Sequence, residues 1–465
     1  MGRDVIKVVS PHSELPIGEF TVATVADVDD AVTKARAAFD NGPWPRLAPG
    51  ERIAAVGRLA EIYRGRATEM ATLISQEIGA PISFAQRAQV GLPTVMMSAF
   101  SQLAEQYPWQ SDRDGFYGAP VRVRKEPVGV VGAIVPWNMP QFLTIGKLVP
   151  ALLAGCTVII KPAPESTLDA LLLGDMLAEV GLPDGVVTIL PGDVTTGAAV
   201  AGHPGLDKVS FTGSTAAGRA VAAACAPNLT KVSLELGGKS AAIVLDDAEP
   251  EKVAAAIRSA SLSNSGQICN ALTRILVPQH RAAEFVDALA DQMTSLAVGD
   301  PADKTTQLGP LVSQRQQHRV RSYIEAGQQQ GARMVVGGVD MPEGLDTGWY
   351  VRPTLFADAG NDMTIAREEI FGPVLTVISY RDVDDAVAIA NDSDYGLAGS
   401  VFTADTDRGV AVAEQVRTGT IGVNQGYTMD PFAPFGGVKG SGYGRELGPE
   451  GLESYLDIKS IAVAS

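Results

Sequence analysis

Short apolar segments alternate with helical patterns through the middle of this chain, and this alternation constrains the fold most. The first series lies at residues 128–135, 156–160, 186–190, 208–211 and 232–235. Continuous apolar strands separated by helices are typical of a parallel sheet that is covered on both faces. The clearest helix, over 167–180, begins at Ser166 or Thr167 and ends before Gly181. The sequence therefore predicts a doubly wound sheet of the nucleotide-binding type.

A second series of strands follows residue 240 and predicts a second α/β domain. Its strands are expected at 241–245, 274–277, 333–336, 374–380, 400–402 and 419–423, and its helices at 250–263, 281–296, 313–330 and 383–391. We place the boundary between the two domains at Gly237-Gly238.

The N-terminal part of the chain differs from both series. Residues 21–106 are mainly helical, and residues 116–127 alternate apolar and charged side chains. The alternation predicts a half-exposed strand in a hairpin. A hairpin with an open edge invites pairing with another subunit.

Charge and composition exclude several classes of protein. The net charge of −16 repels phosphate backbones and anionic lipid, so we expect no nucleic-acid partner and no membrane partner. The N-terminus lacks a signal-like apolar core and no uncharged apolar segment is long enough to span a bilayer, which predicts a cytoplasmic location. The 3 cysteines favour a reducing compartment, and the 4 widely separated histidines predict no metal site.

Cys269 is the candidate nucleophile. It lies in a small, polar stretch just after Gly266, whereas Cys156 and Cys225 lie among apolar residues or alanines and are expected in the core. A reachable thiol becomes nucleophilic where donors stabilise its thiolate, and a glycine-led loop can supply them. Glu235 precedes a glycine pair and is a candidate base.

Three further features follow apolar strands, at the edge where doubly wound sheets bind ligands. The turn from Phe211 to Gly218 opens a helix and offers an anion site, or it serves only packing. Lys161 can donate to ribose hydroxyls or a phosphate, or it is a solvated strand-end lysine. Asn138 is an oxyanion donor or the side chain of an Asx-type turn. The Gly-x-Gly-x-x-Gly fingerprint and the P-loop ending are both absent.

Seven motifs then stand in a fixed order along the chain. They are Trp137-Asn138, Lys161, Phe211-Thr212-Gly213-Ser214, Leu234-Glu235-Leu236-Gly237-Gly238-Lys239, Gly266-Gln267-x-Cys269, Glu369-Ile370-Phe371-Gly372-Pro373 and Pro434-Phe435-Gly436-Gly437-x-Lys439-x-Ser441-Gly442. In order and approximate spacing they resemble the NAD(P)-dependent aldehyde dehydrogenase superfamily, and the resemblance covers nearly the whole chain.

The resemblance implies the fold and its division. The fold class is α/β, with a doubly wound parallel-sheet cofactor domain, a second α/β catalytic domain and a small β oligomerisation element. The cofactor domain is expected at 1–108 and 128–237, and the catalytic domain at 238–445. Oligomerisation strands are expected at 109–127 and 446–465, in a homo-oligomer that is a dimer or a tetramer.

The resemblance also implies a reaction. Cys269 would attack an aldehyde carbon to give a thiohemiacetal, whose oxyanion Asn138 and the Cys269 N–H would hold. After hydride transfer to the nicotinamide, Glu235 would activate water to hydrolyse the thioester. Glu446 matches a carboxylate thought to relay protons. Relatives that pass the acyl group to coenzyme A often lack a carboxylate at Glu235, so its presence favours a free acid.

The cofactor is expected to be NAD, with NADP as the alternative. The residues implied to bind it are Pro136, Trp137, Lys161, Glu165, Phe211, Gly213, Ser214, Gly218, Leu236, Glu369 and Phe371. Many NAD-preferring relatives place a glutamate three residues after the lysine, where this chain has Pro164 and then Glu165. NAD is expected because Glu165 would still reach the ribose.

The substrate is expected to be a medium-chain aliphatic, terpenoid or aromatic aldehyde. Positions that match the aldehyde tunnel of the resembled family are Met139, Leu143, Ile268, Asn270 and Phe435, together with Gly146 and Met429. They are mostly apolar, with glycine where some relatives place a bulky aromatic, and the alternative is that they only pack between domains. The other functions left open are a coenzyme A-dependent acylating dehydrogenase, esterase-like acyl transfer and a non-catalytic binding protein of the same fold.

Overall fold

Two large sheets, each covered by helices, form the body of the chain in this computed structural model, which describes residues 3–427 and 429–463. The strands are β1 Val5–Val9, β2 Pro16–Thr21, β3 Gln110–Asp114, β4 Pro120–Pro127, β5 Val130–Ile134, β6 Thr157–Lys161, β7 Val187–Ile189, β8 Lys208–Thr212, β9 Lys231–Glu235, β10 Ser240–Val244, β11 Leu272–Pro278, β12 Arg333–Val336, β13 Thr354–Ala357, β14 Val374–Tyr380, β15 Gly399–Phe402, β16 Gly422–Val423, β17 Gly442–Tyr443 and β18 Leu456–Ala462.

The helices follow the same chain order. They are α1 Val25–Asp40, α2 Pro49–Gly65, α3 Ala67–Ile78, α4 Ile82–Phe84, α5 Leu92–Gln106, α6 Pro140–Ala154, α7 Thr167–Val180, α8 Val194–Gly202, α9 Thr215–Cys225, α10 Pro250–Leu262, α11 Ala282–Thr294, α12 Gln314–Gln329, α13 Thr364–Arg367, α14 Val383–Asn391, α15 Thr406–Ala413 and α16 Gly448–Glu453. A π-helical segment, Ala85–Gly91, lies between α4 and α5. Among the described residues, no helix is long and apolar enough to cross a membrane.

The first large sheet has the order β17-β9-β8-β5-β6-β7. Strands β5 to β9 run parallel, and every residue of β5, β6 and β8 is buried. This confirms the predicted doubly wound sheet, because its continuous apolar strands have helices on both faces. The strand order reverses beside β5, so a crevice opens between the carboxyl ends of β5 and β8.

The second large sheet has the order β12-β13-β14-β11-β10-β15-β16, and only β12 runs antiparallel to its neighbour. The chain passes from the first sheet to the second between Glu235 and Ser240. It later returns, because β17 pairs with β9 at Gly442 and Tyr443. Residues inside the predicted 238–445 segment therefore belong to the first sheet. The patterns of the sequence did not predict β13 or β17.

A third, three-stranded sheet has the order β18-β4-β3. The predicted hairpin is present, and the C-terminal strand covers the other side of β4, with Val121 opposite both Arg113 and Ala462. The open edges are therefore those of β3 and β18. Beyond Leu456, the side chains of β18 are exposed. The predicted ends of this segment, residues 464–465, lie outside the described residues, as do residues 1–2 and 428.

Candidate active site

Asn138 follows β5 and is fixed by three hydrogen bonds. Its backbone carbonyl oxygen accepts from Gln89 Nε2 at 2.8 Å and from Asn264 Nδ2 at 2.9 Å. Its own Nδ2 donates to the Gln267 carbonyl at 2.9 Å. The side chain thus bonds across to the cysteine loop rather than to its own turn, and one amide hydrogen remains to face a ligand.

The loop before Cys269 has an unusual backbone. Asn264, Ser265 and Gly266 are successive left-handed residues, with φ of 51°, 56° and 74°. Only glycine fits the third position, since a Cβ there would lie 2.2 Å from the Gly372 carbonyl oxygen. Each non-glycine residue in this region costs about 1–2 kcal/mol, which the surrounding bonds must offset. One of these bonds runs from Ser265 Oγ to the Gly309 carbonyl at 2.7 Å.

The Cys269 thiol is partly buried at the end of this loop. Burial raises its pKa to about 12, and the nearby Glu369 and Glu235 carboxylates add to the increase. The expected stabilisation of the thiolate is therefore not observed. Loss of hydration and repulsion by the two carboxylates raise the pKa of the thiol more than the backbone N–H groups of Asn270 and Cys269 lower it. Transfer of the thiol proton therefore needs an acceptor.

Glu235 ends β9 and is 3% exposed. Neither carboxylate oxygen has a hydrogen-bond partner among the described residues. Burial, with Glu446 as the second cause, raises the pKa of Glu235 well above its ordinary value. A carboxyl group of this kind must first lose its own proton, and its carboxylate is then a stronger base than that of an exposed glutamate.

Glu446 lies near Glu235 but has a cationic partner. Its carboxylate is ion-paired with the fully buried Lys147, which also donates to Thr212 Oγ1 at 2.7 Å. The sequence reasoning missed Lys147, although it is the only charged residue in helix α6, all of whose residues are buried. A buried lysine beside two carboxylates keeps part of their charge compensated.

A cleft of about 490 Å³ opens at the crevice between β5 and β8 and reaches Cys269. It is lined by Pro136, Trp137, Asn138, Thr212, Gly213, Ser214, Leu236, Gly237, Cys269, Arg315, Gln316, Arg319, Glu369 and Phe371. We call it the cofactor cleft. Helix α9 begins in the wall of this cleft, after the Ser214 cap. The N–H groups of its first turn that have no helical partner are therefore available to bind an anion.

Two predicted residues support this wall from behind. A Cβ on Gly213 would lie 2.6 Å from the Phe211 ring, and a Cβ on Gly218 would lie 2.5 Å from Leu236. Phe211 and Gly218 therefore do not line the cleft. They pack behind it and set how close the strand β8 turn and helix α9 lie to their neighbours. Glycine allows a close approach that any side chain would prevent.

Lys161 and Glu165 lie at the carboxyl end of β6, beyond the residues that line the cleft. Burial lowers the pKa of Lys161 to about 8, against the opposing effects of Glu165 and Asp193. Glu165 pairs with Arg315 of α12 at 3.4 Å. This ion pair joins an element of the first sheet to a helix of the second.

Helix α12 fixes the loop that carries Glu369 and Phe371. Gln316 Nε2 donates to the Phe371 carbonyl at 2.8 Å, and Arg319 donates to the Glu369 carbonyl at 2.6 Å. The Glu369 carboxylate accepts from Gly238 N at 3.1 Å, while burial raises its pKa to about 7. The sequence predicts this helix, but sequence reasoning missed its part in the site. Arg315 and Arg319 lie four residues apart and therefore on one helix face, which is the signal that was available.

A second cavity, of about 330 Å³, lies on the other side of the cysteine loop. It is lined by Phe84, Ala88, Leu92, Met139, Ala256, Ser259, Ala260, Ser263, Ile268, Asn270, Asn424, Gln425, Gly426, Tyr427 and Met429. We call it the aldehyde cavity, and no charged side chain among the described residues lines it. The predicted residues Met139, Ile268, Asn270 and Met429 are in this wall.

The other residues predicted for this region lie elsewhere. Leu143 and Phe435 are buried and are not part of the lining. Beside Gly146, a Cβ would be 3.2 Å from Met96 Cε, so that methionine fills the space that the glycine leaves. The cavity is therefore not widened at Gly146. No group of three His, Cys, Asp or Glu side chains in the described part of the chain is placed to hold a metal ion.

Comparisons with known proteins agree with this geometry. Residues 1–461 match the model of the "Aldehyde dehydrogenase family". The chain is 44% identical to geranial dehydrogenase of Castellaniella defragrans over 98% of its own length and 94% of that protein. A Mycobacterium tuberculosis aldehyde dehydrogenase complexed with NAD+ superposes with a TM-score of 0.97 at 47% identity, covering 99% of this chain and 95% of that one.

A third similar protein was solved with a bound aldehyde. It is a cysteine-to-alanine mutant of aldehyde dehydrogenase C from Pseudomonas syringae, complexed with NAD+ and octanal. Its TM-score is 0.96 at 41% identity, and the match covers 99% of this chain and 94% of that one.

Proposed function

Because the chain belongs to the aldehyde dehydrogenase family, we propose that it oxidises an uncharged, largely apolar aldehyde to the carboxylic acid with NAD, through Cys269. The observation that carries the proposal is the meeting of two cavities at one loop. Asn138 and Cys269 line the cofactor cleft, while their chain neighbours Met139, Ile268 and Asn270 line the aldehyde cavity.

The reaction begins with a proton transfer. Because burial keeps the thiol protonated, its proton passes to water and on to solvent as Cys269 Sγ bonds to the aldehyde carbon. The remaining Nδ2 hydrogen of Asn138 and the Cys269 N–H hold the oxyanion of the thiohemiacetal. Bound NAD accepts the hydride from that carbon, which leaves a thioester on Cys269.

Hydrolysis completes the cycle. In its ionised form Glu235 removes a proton from water, and the hydroxide adds to the thioester carbon. The carbon–sulfur bond then breaks as the departing sulfur takes that proton from Glu235, which returns to its ionised form. The products are the carboxylic acid and the Cys269 thiol. Glu446 and Lys147 keep the surroundings of Glu235 polar and charge-compensated, which supports repeated proton transfers through this end of β9.

The residues of the cofactor cleft fit a dinucleotide. The start of α9 suits the pyrophosphate, and Lys161 and Glu165, which lie just beyond the lining of the cleft, suit the adenosine ribose. Glu369 suits the nicotinamide ribose. Trp137 and Phe371 line the same cleft in edge-to-face contact, with their ring centroids 5.4 Å apart. Two of the similar structures carry NAD+ in their complexes, which supports NAD, and NADP is the alternative.

The aldehyde cavity supports a medium-chain aliphatic, terpenoid or aromatic aldehyde. Its wall combines apolar side chains with neutral hydroxyls and amides, so a charged substrate end would lose its hydration there without gaining a partner. Geranial and octanal, the compounds named for two of the similar proteins, are of this class.

The assembly proposal rests on the three-stranded sheet. Its outer strands β3 and β18 leave backbone groups unpaired, and Ile458 on β18 is 66% exposed. A homo-oligomer, dimer or tetramer, would cover this edge. The proposed domains remain 1–108 with 128–237 for the cofactor, 238–445 for catalysis, and 109–127 with 446–465 for assembly.

The test is a panel of aldehydes with NAD and with NADP, with and without coenzyme A. We expect reduced NAD and free acid from octanal, geranial and benzaldehyde without coenzyme A. A strong preference for an aldehyde that carries a carboxylate would contradict the substrate class. A requirement for coenzyme A would replace hydrolysis by acyl transfer.

A further inference from the structure

A third cavity, of about 510 Å³, adjoins the aldehyde cavity and carries positive charge. Arg87, Arg258 and Lys304 line it, together with hydroxyl side chains that include Ser83 and Thr305. No Asp or Glu among the described residues is part of its wall. In a chain of net charge −16, such a group of cations without an acid is an exception to the surface as a whole.

These cations are not neutralised by ion pairs within the described part of the chain. Arg87 and Lys304 are exposed and have no side-chain hydrogen bond there, and Arg258 donates only to the neutral Gln292 Oε1, at 3.1 Å, and Ser295 Oγ, at 3.4 Å. The nearest acid in sequence, Asp303, accepts from the N–H and the hydroxyl of Thr305, each at 2.8 Å. The donors of Arg87 and Lys304 therefore remain free for a ligand, and Arg258 keeps the donors that Gln292 and Ser295 do not take.

The cavity shares a wall with the aldehyde cavity. Phe84, Ser259 and Ser263 line both, and the two serines on that wall are small. The π-helical segment Ala85–Gly91 runs along the same boundary, with Arg87 on the cationic side and Ala88 on the aldehyde side. Segments of π-helix are often found at functional sites, because the wider turn displaces side chains toward a ligand.

We propose that this cavity is an oxyanion-binding site, which takes a carboxylate or a phosphate group beside the aldehyde cavity. The guanidinium and ammonium groups that line this cavity can donate to the oxygens of such an anion, and the hydroxyls supply further donors. The anion arrives either as a free ion or as the distal group of an aldehyde that passes the Ser259–Ser263 wall. Binding of a free anion does not rest on the proposed oxidation, whereas binding of the distal group of an aldehyde substrate does.

The test compares two double variants with the same change of charge. Arg87→Gln with Lys304→Gln removes two cations of the cavity, and Arg64→Gln with Lys7→Gln removes two exposed cations elsewhere that have no ion pair in the described structure. Inorganic phosphate is titrated calorimetrically into each protein with saturating NAD present. The NAD keeps phosphate from binding where the pyrophosphate would lie. In parallel, the ratio of kcat/KM for the ω-carboxylate analogue of octanal to that for octanal is measured.

A free anion is the source if phosphate binds the wild type and the control variant equally but binds the cavity variant roughly tenfold more weakly. A tethered anion is the source if phosphate does not bind but the ratio of kcat/KM falls only in the cavity variant. Strong use of the carboxylate analogue would also correct the proposed substrate class. If neither measurement separates the cavity variant from the control, the site does not exist.

Discussion

The cofactor cleft and the aldehyde cavity meet at one cysteine loop but are built in different ways. Strand ends, glycine backbone and charged side chains such as Arg319 and Glu369 form the cleft, at the position where a doubly wound sheet must open. Uncharged side chains from four separated parts of the chain form the cavity. The topology of the sheet therefore fixes the cofactor site, whereas a few side chains set the substrate.

Loss of the thiol should separate the two regions most sharply. We expect Cys269→Ala to reduce kcat by about 10⁴-fold or more, with the affinity for NAD within about a factor of two, because only the nucleophile is removed. Steady-state kinetics and equilibrium NAD binding measure the two effects. Cys225→Ala, at a buried cysteine that lines neither region, serves as the control and should keep most of the activity. Residual turnover near that of the control would show that another group attacks the aldehyde.

Removal of the base should stop the cycle halfway. Glu235→Gln is expected to slow turnover by about 10²–10⁴-fold while leaving KM for NAD nearly unchanged. Because burial and Glu446 raise the pKa of Glu235, the wild-type rate should increase with pH as this carboxyl loses its proton. A pH profile of kcat for both proteins checks this expectation. A variant that retains the same pH-dependent increase would assign it to another group.

Removal of the oxyanion donor should have an intermediate effect, and loss of its support a smaller one. Asn138→Ala is expected to reduce kcat by about 10²-fold. Gln89→Leu removes one bond to the Asn138 carbonyl and should reduce kcat by roughly tenfold through misplacement of the donor. Both should leave NAD affinity intact, which kinetics and NAD binding would establish. An equal loss of NAD affinity would mean that Gln89 supports the cleft rather than the donor.

A larger side chain in the aldehyde cavity should alter substrate choice alone. Ser259→Phe places a ring at the wall and is expected to reduce kcat/KM for octanal by roughly tenfold relative to acetaldehyde. The KM for NAD should not change, since Ser259 is not part of the cofactor cleft. An equal reduction for both aldehydes would indicate that the substrate enters by another route.

The smallest effect is expected at the cation–carboxylate pair across the cleft. Glu165→Gln should raise, and Arg315→Gln should lower, the kcat/KM ratio of NADP to NAD by roughly three- to tenfold, because a 2′-phosphate is repelled by the first side chain and attracted by the second. Lys161 loses its charge as pH increases through about 8, so use of NADP should decline there more than use of NAD. Measuring kcat/KM for NAD and for NADP at pH values below and above this pKa tests the expectation.

The sequence predicts the cofactor region better than the aldehyde region for a physical reason. Apolar strand patterns and glycine turns are local, so α7 beside the first sheet matches its predicted bounds residue for residue, and so do β12, β14 and α14 of the second sheet. The cleft is assembled from the ends of such elements. Motif residues such as Ser214 and Glu369 therefore line it as expected.

Long-range contacts explain what could not be predicted. The strand β17 is only two residues long, and its pairing with β9 depends on residues about two hundred positions earlier. Met96 fills the space at Gly146 because two helices cross there, which no local pattern records. The raised pKa of the Cys269 thiol likewise depends on burial in the folded chain, whereas the glycine loop alone suggested the opposite.

Trapping the acyl-enzyme tests the central claim most directly. The Glu235→Gln variant is mixed with octanal and NAD, the reaction is stopped early, and peptides are analysed by mass spectrometry together with the amount of reduced NAD formed. We predict a burst of reduced NAD equal to the number of subunits and an octanoyl group on Cys269. Reduced NAD with no acyl group on Cys269, or an acyl group on another residue, would contradict this mechanism.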